Sequence, residues 1–414
     1  MMINLKTKNL LGINGSGRIG KLTLWHHLIS RKFDGVVLNV GRIVGKSLDD
    51  LVQTITTDST YGSLSHFLYG RCGKPCDIQV DYDEQVIVID GFPVKVLNTE
   101  RNPADINWKA EGVRIVVDCT GKFLDPNIPD NDPKGSITGH LAAGAEKVIA
   151  SAPFKSKKGE IDIDRFPTII YGINHNAFDP GKHHIISAAS CTTTGLAYMM
   201  KPLLEDRETR EVLTASLSTI HAATNSQSVL DTVPTTNTSD LRKNRSVLNN
   251  IILSSTGAAK ALEKVIPEVS QFGFMADSIR IPTTTVSLIA LNITFNSRLN
   301  DSGNPYINGN YIKNIYKKAA EGEHKGLLHL SMQQNVSMDL IGKRAAVVIE
   351  GQEIHTRTGF LRIPKDILHQ VGANLEDVNI PVTHAKIMGW YDNEFGSYVT
   401  CLGYLTEHVA SQLA

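Results

Sequence analysis

Short apolar runs separated by polar turns fill the first half of the chain. Leu10-Leu11-Gly12-Ile13-Asn14 reads as a strand, and Lys21 to Ile29 sets Leu22, Leu24, Trp25, Leu28 and Ile29 at helical spacing. Val36 to Val40 reads as a second strand, so the chain opens on a strand–helix–strand unit. Further apolar runs at Val86–Ile89, Val94–Leu97, Ile115–Val117 and Lys147–Ala150 continue the alternation. Such alternation predicts an α/β fold with a mostly parallel sheet. The second half has a different texture. Leu213–Ile220 and Thr284–Phe295 are longer and rich in Thr, Val and Ile, which predicts antiparallel strands. Helices are predicted over Leu196–Leu204, Thr256–Val265 and Tyr311–Glu321. Val399, Leu402, Leu405, Val409 and Leu413 predict a closing helix over Tyr398–Leu413. Asn225 to Ser246 is polar and aperiodic, a long loop of the kind that is functional or disordered. No internal repeat is present.

Charge narrows the classes of partner. Across 414 residues, 42 basic side chains balance 42 acidic ones, so no field favours nucleic acid or an anionic membrane. No apolar run approaches the roughly 18–20 residues that span a bilayer. Met1 to Leu11 lacks the apolar centre of a secretory signal, so the cytoplasm is the expected compartment. The 5 cysteines (Cys72, Cys76, Cys119, Cys191 and Cys401) are odd in number and scattered, which points to thiols rather than disulfides. Cys72 and Cys76 flank Gly73 and Pro75 with no further ligand nearby, so a turn between strands is expected there rather than a metal site.

Between the first strand and the first helix stands Gly15-Ser16-Gly17-Arg18-Ile19-Gly20. In this context the three glycines have separate uses. Gly15 permits a tight turn, Gly17 lets the backbone approach a pyrophosphate, and Gly20 lets helix and strand pack closely. The free N–H groups of the helix start would receive the phosphates. A carboxylate usually ends the second strand and bonds the adenosine ribose of NAD. Here the strand ends Leu38-Asn39-Val40-Gly41-Arg42. A 2′-phosphate would meet no repelling carboxylate, and Arg42 or Lys46 could pair with it. Alternatively, Asn39 and backbone groups hold the ribose of NAD.

Ser190-Cys191-Thr192-Thr193-Thr194 places a thiol among small hydroxylic residues just before a predicted helix, where a thiolate gains stability. His221 ends a β-rich run thirty positions on. A cysteine and a histidine form a nucleophile–base pair if they meet in space. On spacing alone, a buried structural cysteine is the commoner outcome.

Many ordered motifs alter that balance. Ser187–Thr194 reads S-A-A-S-C-T-T-T, and His221–Thr224 reads H-A-A-T. Ser255–Ala261 reads S-T-G-A-A-K-A and is followed by V-I-P-E. Arg280–Thr283 reads R-I-P-T, and Trp390–Gly396 reads W-Y-D-N-E-F-G. N-G-x-G-R-I-G, Asp58–Gly62, Cys119–Gly121, His140–Val148 and Ser151–Pro153 fall into place ahead of them. Over its whole length the chain resembles the phosphorylating glyceraldehyde-3-phosphate dehydrogenases. The resemblance implies a Rossmann-like dinucleotide-binding domain plus an α+β catalytic domain with a mostly antiparallel sheet. It implies oxidation of glyceraldehyde 3-phosphate with inorganic phosphate to 1,3-bisphosphoglycerate through a cysteine thioester. It further implies NAD or NADP as cofactor and a homotetramer. Cys191 and His221 would be catalytic. Cofactor contacts would fall on Gly15, Gly17, Arg18, Ile19, Gly20, Asn39, Thr120, Ser151 and Asn393, with Arg42 added by the reading above. Ser190, Thr192, Thr224, Lys243, Thr256, Gly257 and Arg280 would hold the two phosphates. Lys243 replaces an arginine of the family's loop, within Asp240-Leu241-Arg242-Lys243-Asn244-Arg245. A lysine is a point charge without the bidentate fork. A family tyrosine after the Trp390 motif is Ser397 here.

The dinucleotide domain is expected over residues 1–190 and 393–414, and the catalytic domain over 191–392. The chain exceeds the family's usual length by a few tens of residues, around 125–134 and 344–383, the latter an expected hairpin with a short helix. Two rival functions stay open at this point, erythrose-4-phosphate oxidation and a non-catalytic regulatory relative.

Overall fold

The computed structural model describes residues 9–413 apart from 71, 157 and 158. The chain divides into two compact units. One runs to Ser190 and resumes at Glu394, and the other spans Cys191–Asn393.

In the first unit β1 (Leu10–Asn14), α1 (Arg18–Ser30) and β2 (Gly35–Asn39) form the opening strand–helix–strand unit. Then follow α2 (Leu48–Thr56), a small ribbon of β3 (Thr57–Asp58) and β4 (Gly62–Ser63), α3 (Leu64–Tyr69), β5 (Ile78–Asp81), β6 (Val86–Ile89) and β7 (Phe92–Leu97). The unit continues with β8 (Val113–Asp118), α4 (Gly139–Ala142), β9 (Lys147–Ala150) and β10 (Ile185–Ser187). The sheet order is β10-β9-β8-β1-β2-β7-β6-β5. All neighbours from β10 to β7 run parallel, and β6 and β5 add an antiparallel edge. Every residue of β1 and β2 is buried, as a central strand covered on both faces requires. Val37, Trp108, Val116, Ile137 and Val148 belong to one buried cluster of this sheet. Cys72 and Cys76 lie between α3 and β5. The expected turn between strands therefore joins a helix to a strand instead.

The second unit begins with α5 (Cys191–Glu205) and β11 (Val212–Ala222). After the loop come β12 (Ile252–Ser255), α6 (Ala258–Glu263), β13 (Gly273–Ile281), β14 (Ser287–Asn296), α7 (Gly309–Glu321), β15 (Leu328–Ser331) and β16 (Val347–Glu350). Last are β17 (His355–Ile363), α8 (Lys365–Gln370) and β18 (Val378–Tyr391). The order is β12-β13-β11-β14-β18-β16-β15, with β17 added on β18. Most pairs are antiparallel, but β11 and β13 run parallel, as do β15 and β16. The surplus segment of this unit is a long β17–β18 ladder with α8 in its connection. Residues 125–134 contain turns without helix or strand. The predicted helix at Leu196–Leu204 starts five positions earlier, at Cys191. The β-branched run Thr192–Thr194 is a poor helix former, but all three side chains are buried, and tertiary packing overrides propensity. Back in the first unit, Phe395–Val399 makes a π turn before the closing helix α9 (Thr400–Ser411). Among the described residues, no helix is long and apolar enough to cross a membrane.

Candidate active site

Cys191 is the first residue of α5 and is half-buried. Its Sγ lies 3.8 Å from Nε2 of His221. The helix N-terminus favours negative charge on that sulfur. Two residues upstream, in the first unit, Ala189 holds φ at 59°, a left-handed conformation that costs an L residue about 1–2 kcal/mol. Its carbonyl accepts a hydrogen bond from the Tyr398 hydroxyl at 3.2 Å.

Strand pairing delivers the other members of the cluster. His221 sits near the end of β11, and the parallel register sets it directly beside Arg280 of β13. Two groups meet at its Nδ1. The Ala222 carbonyl, 2.7 Å away, can only accept. The Arg280 guanidinium, also in contact with Nδ1, can only donate. These partners select opposite tautomers. With the proton on Nδ1, a lone pair on Nε2 faces the thiol. With the proton on Nε2, an N–H faces it instead. Asn393 places its amide nitrogen 3.1 Å from Nε2, while its amide oxygen accepts from the Ser287 hydroxyl at 2.9 Å. Burial, with the Arg280 cation beside it, pushes the imidazole pKa down to about 4. His221 is therefore neutral at physiological pH. Desolvation also lowers the Arg280 pKa, opposed by attraction to Cys191 and Tyr391.

One member of the cluster was not singled out in the sequence. Tyr391 is buried, and its hydroxyl bonds Thr192 at 2.8 Å and Thr219 at 2.7 Å, tying the first turn of α5 to β11. Burial also raises its pKa. Its signal was present in the motif around Trp390, but only the fold shows what lies beneath it.

The expected phosphate ligands occupy different settings. Thr192 spends its hydroxyl on Tyr391, which leaves its backbone N–H as the group for an anion. Thr224 directs its hydroxyl to Ser226 and Gln227, each at 2.9 Å. Ser190 and Thr256 are half-buried, and Gly257 is exposed. In the 225–246 loop, Arg242 pairs with Asp240 at 2.8 Å and Arg245 with Asp231 at 2.9 Å. Lys243 is exposed and pairs with no carboxylate among the described residues. Arg280 keeps a buried Nε with no partner among those residues.

The nucleotide features lie in the first unit. Gly15 adopts φ of 101°, and its N–H bonds the Asn39 carbonyl at 2.8 Å. A Cβ on Gly20 would stand 1.8 Å from the Gly15 carbonyl oxygen, so only glycine closes the turn. A Cβ on Gly17 would meet nothing within 4 Å, so that flank lies open. No side chain caps α1, and its first turn carries no acid, which leaves its leading N–H groups for an anion. The Arg18 side chain is held by Glu394 at 3.3 Å and by Thr60, and Ile19 is half-buried. Thr120 is fixed by two bonds to Asp118, at 3.0 Å and 2.6 Å, and the Ser151 N–H bonds the Asp118 carbonyl at 2.9 Å. Asn39 donates to Asn14 at 2.8 Å and to the Glu100 carbonyl at 3.1 Å, and its own buried amide oxygen has no partner among the described residues. The open flank at Gly17 and the orphaned acceptor on Asn39 fit a dinucleotide. Arg42 is exposed beyond the Gly41 turn, and Arg101 Nε bonds the Gly41 carbonyl at 3.0 Å.

A doubly wound nucleotide-binding unit, joined in one chain to a unit carrying a cysteine–histidine–arginine cluster, defines a nicotinamide-dependent oxidoreductase. The description "Glyceraldehyde 3-phosphate dehydrogenase, NAD binding domain" matches residues 10–126, and "Glyceraldehyde 3-phosphate dehydrogenase, C-terminal domain" matches 190–393. Glyceraldehyde-3-phosphate dehydrogenase of Streptomyces coelicolor is 33% identical over 405 residues, 97% of this chain and 99% of that protein. Glyceraldehyde-3-phosphate dehydrogenase 1 of Bacillus subtilis is 32% identical over 389 residues, covering 93% and 94%. The cytosolic enzyme of Chlamydomonas reinhardtii is 31% identical over 404 residues, covering 98% and 97%. The chain belongs to the glyceraldehyde-3-phosphate dehydrogenase family, and NAD is its cofactor.

Proposed function

We propose that this protein oxidises glyceraldehyde 3-phosphate with inorganic phosphate to 1,3-bisphosphoglycerate through a thioester on Cys191. The observation that carries this reading is the Cys191 sulfur at the start of α5, 3.8 Å from the neutral His221 imidazole. The Cys191 thiol passes its proton to His221 Nε2 as the sulfur adds to the aldehyde carbon; the carbonyl π pair moves onto oxygen, which takes that proton back to give a hemithioacetal. Bound NAD supplies the hydride acceptor. His221 Nε2 takes the hydroxyl proton as the C–H pair departs and the carbonyl re-forms as a thioester. The backbone N–H of Cys191 would stabilise the oxyanion. A phosphate oxygen then attacks the thioester carbon, the C–S bond breaks, and the acyl phosphate leaves Cys191 as thiolate.

Arg280, Thr224 and Lys243 would hold the substrate phosphate, with Lys243 favoured over Arg242 and Arg245 because those two are already paired. Thr192, Ser190, Thr256 and Gly257 would surround the attacking phosphate. Asn393 would orient the base and the nicotinamide carboxamide. A homotetramer is the proposed assembly. It agrees with the apolar side chains that the 225–246 loop leaves uncovered, Leu230 at 71% and Val233 at 91% exposure. The deciding assay follows formation of reduced nicotinamide with glyceraldehyde 3-phosphate, with and without phosphate. Phosphate-dependent turnover is expected. Phosphate-independent turnover with higher kcat/KM on erythrose 4-phosphate would overturn the reading in favour of that activity, and no turnover with any aldehyde would leave a binding role.

Coenzyme choice carries a prediction of its own. Val40 supplies no carboxylate to the ribose, and Arg42 stands exposed just beyond it. A charge-assisted bond from Arg42 to a 2′-phosphate is worth roughly tenfold or more in affinity. NADP is expected to serve at least as well as NAD. Arg42→Ala should weaken NADP and leave NAD nearly unchanged. A preference for NAD above roughly tenfold, unaffected by Arg42→Ala, would show that Arg42 does not meet the nucleotide.

A further inference from the structure

Past the Gly-rich turn, α1 and α9 bring together three ligating side chains that the proposed chemistry does not use. His26 and His27 are consecutive on α1, and Glu407 comes from α9. His26 Nε2 lies 3.2 Å from Glu407 Oε1, and His27 Nδ1 lies 3.9 Å from the same oxygen. One ligand atom from each residue falls within 4.8 Å of the others. Ligands about 2.0–2.1 Å from a tetrahedral zinc stand roughly 3.3 Å apart, so small side-chain movements would close this set on one ion.

Burial makes the cluster informative. His27 is 0% exposed, and neither of its ring nitrogens has a hydrogen-bond partner among the described residues. Nδ1 of His26 is likewise buried and unpartnered. Leaving a buried polar group unsatisfied costs about 1–3 kcal/mol, and a leucine would fill the same space without that cost. The neighbouring positions Leu24, Trp25 and Leu28 are apolar, as the inward face of this helix demands. Packing of α9 also accommodates the rings: a Cβ on Gly403 would come within 2.2 Å of His26 Nε2. Glu407 is the partly exposed member, with 15% of its side chain accessible, and it opens the cluster to solvent.

We propose that His26, His27 and Glu407 form a site for a divalent transition ion, zinc by ligand type, with water as the fourth ligand. Two imidazoles and one carboxylate are a donor set that zinc accepts, and three protein ligands leave the fourth position open.

The test uses the full-length protein after alkylation of its accessible thiols with iodoacetamide, so that cysteine does not compete. Co2+ and Zn2+ are titrated by calorimetry, with Co2+ followed by its visible spectrum and Tm measured with Zn2+ or with EDTA. One equivalent is expected to bind through nitrogen and oxygen ligands and to raise Tm. Glu407→Gln should weaken binding at least tenfold, since even residues that only support a metal's ligands cost about 10–100-fold when changed. His27→Leu should abolish the Zn2+ response while melting at or above the wild-type temperature in EDTA, because it removes the unsatisfied nitrogens. Equal Zn2+ affinity and equal Tm response in wild type and Glu407→Gln would overturn the proposal, as would the absence of any binding by the wild type.

Discussion

Cys191→Ser is expected to cost roughly 10⁴-fold or more in turnover while leaving NAD binding intact. The proposed reaction requires a thiolate at Cys191. Cys191 opens α5, where the helix dipole favours an anion, and Arg280 adds a cation in the same cluster. A serine hydroxyl ionises far too weakly for those influences to make it a nucleophile near neutrality. Three of the four other thiols are held in the protonated form. Burial pushes Cys119 and Cys401 each up to about 12, and Cys76 is raised by burial as well. Iodoacetamide should therefore label Cys191 first, in step with loss of activity, and mass spectrometry of the partially labelled protein reads the order directly. Labelling of Cys72 or Cys76 ahead of Cys191, with activity retained, would sink the assignment of the nucleophile.

Local features of the sequence carried the first unit well. Gly15 and Gly20 announce a turn that only glycine closes, because the constraint is local steric contact between a strand end and a helix start, and Gly17 between them leaves the flank open. The alternation of apolar runs likewise gives the α/β class, since each strand and helix writes its own periodicity. The second unit was legible as motifs rather than as geometry. Nothing near His221 in sequence says that Arg280 will stand against it. That neighbour is chosen by the parallel β11–β13 register, a pairing fifty-nine positions apart. The start of α5 was misplaced for a related reason. Thr192, Thr193 and Thr194 disfavour a helix locally, and the burial that overrides them, with Tyr391 bonded beneath Thr192, comes from β18 at the other end of the unit. His26 and His27 were passed over within a helix read by its leucines, because their partner Glu407 lies 381 positions away.

Loss of the base should be milder than loss of the nucleophile and should differ in kind. His221→Asn is expected to slow turnover by roughly 10²–10⁴-fold, the usual span for removing a general base. Asparagine keeps the size and a polar tip but cannot accept and hold a proton as the hemithioacetal is oxidised. It also removes the Nε2 contact to the sulfur, so alkylation of Cys191 should require a higher pH. A stability measurement separates this chemical role from a structural one. In the folded protein His221 titrates near 4, against 6.5 for an exposed imidazole, because burial and Arg280 both oppose the charged form. Between those values the unfolded chain binds a proton that the folded chain refuses, so stability is full above about pH 6.5 and falls as the pH drops toward 4. The asparagine variant lacks this contribution and should lose less stability than wild type on acidification through that window. A base held neutral for catalysis predicts all three results together: slower turnover, later alkylation and a flatter acid limb of stability. If turnover falls less than tenfold and the alkylation profile stays where it was, His221 merely fills space beside Cys191, and the proton must leave by another route.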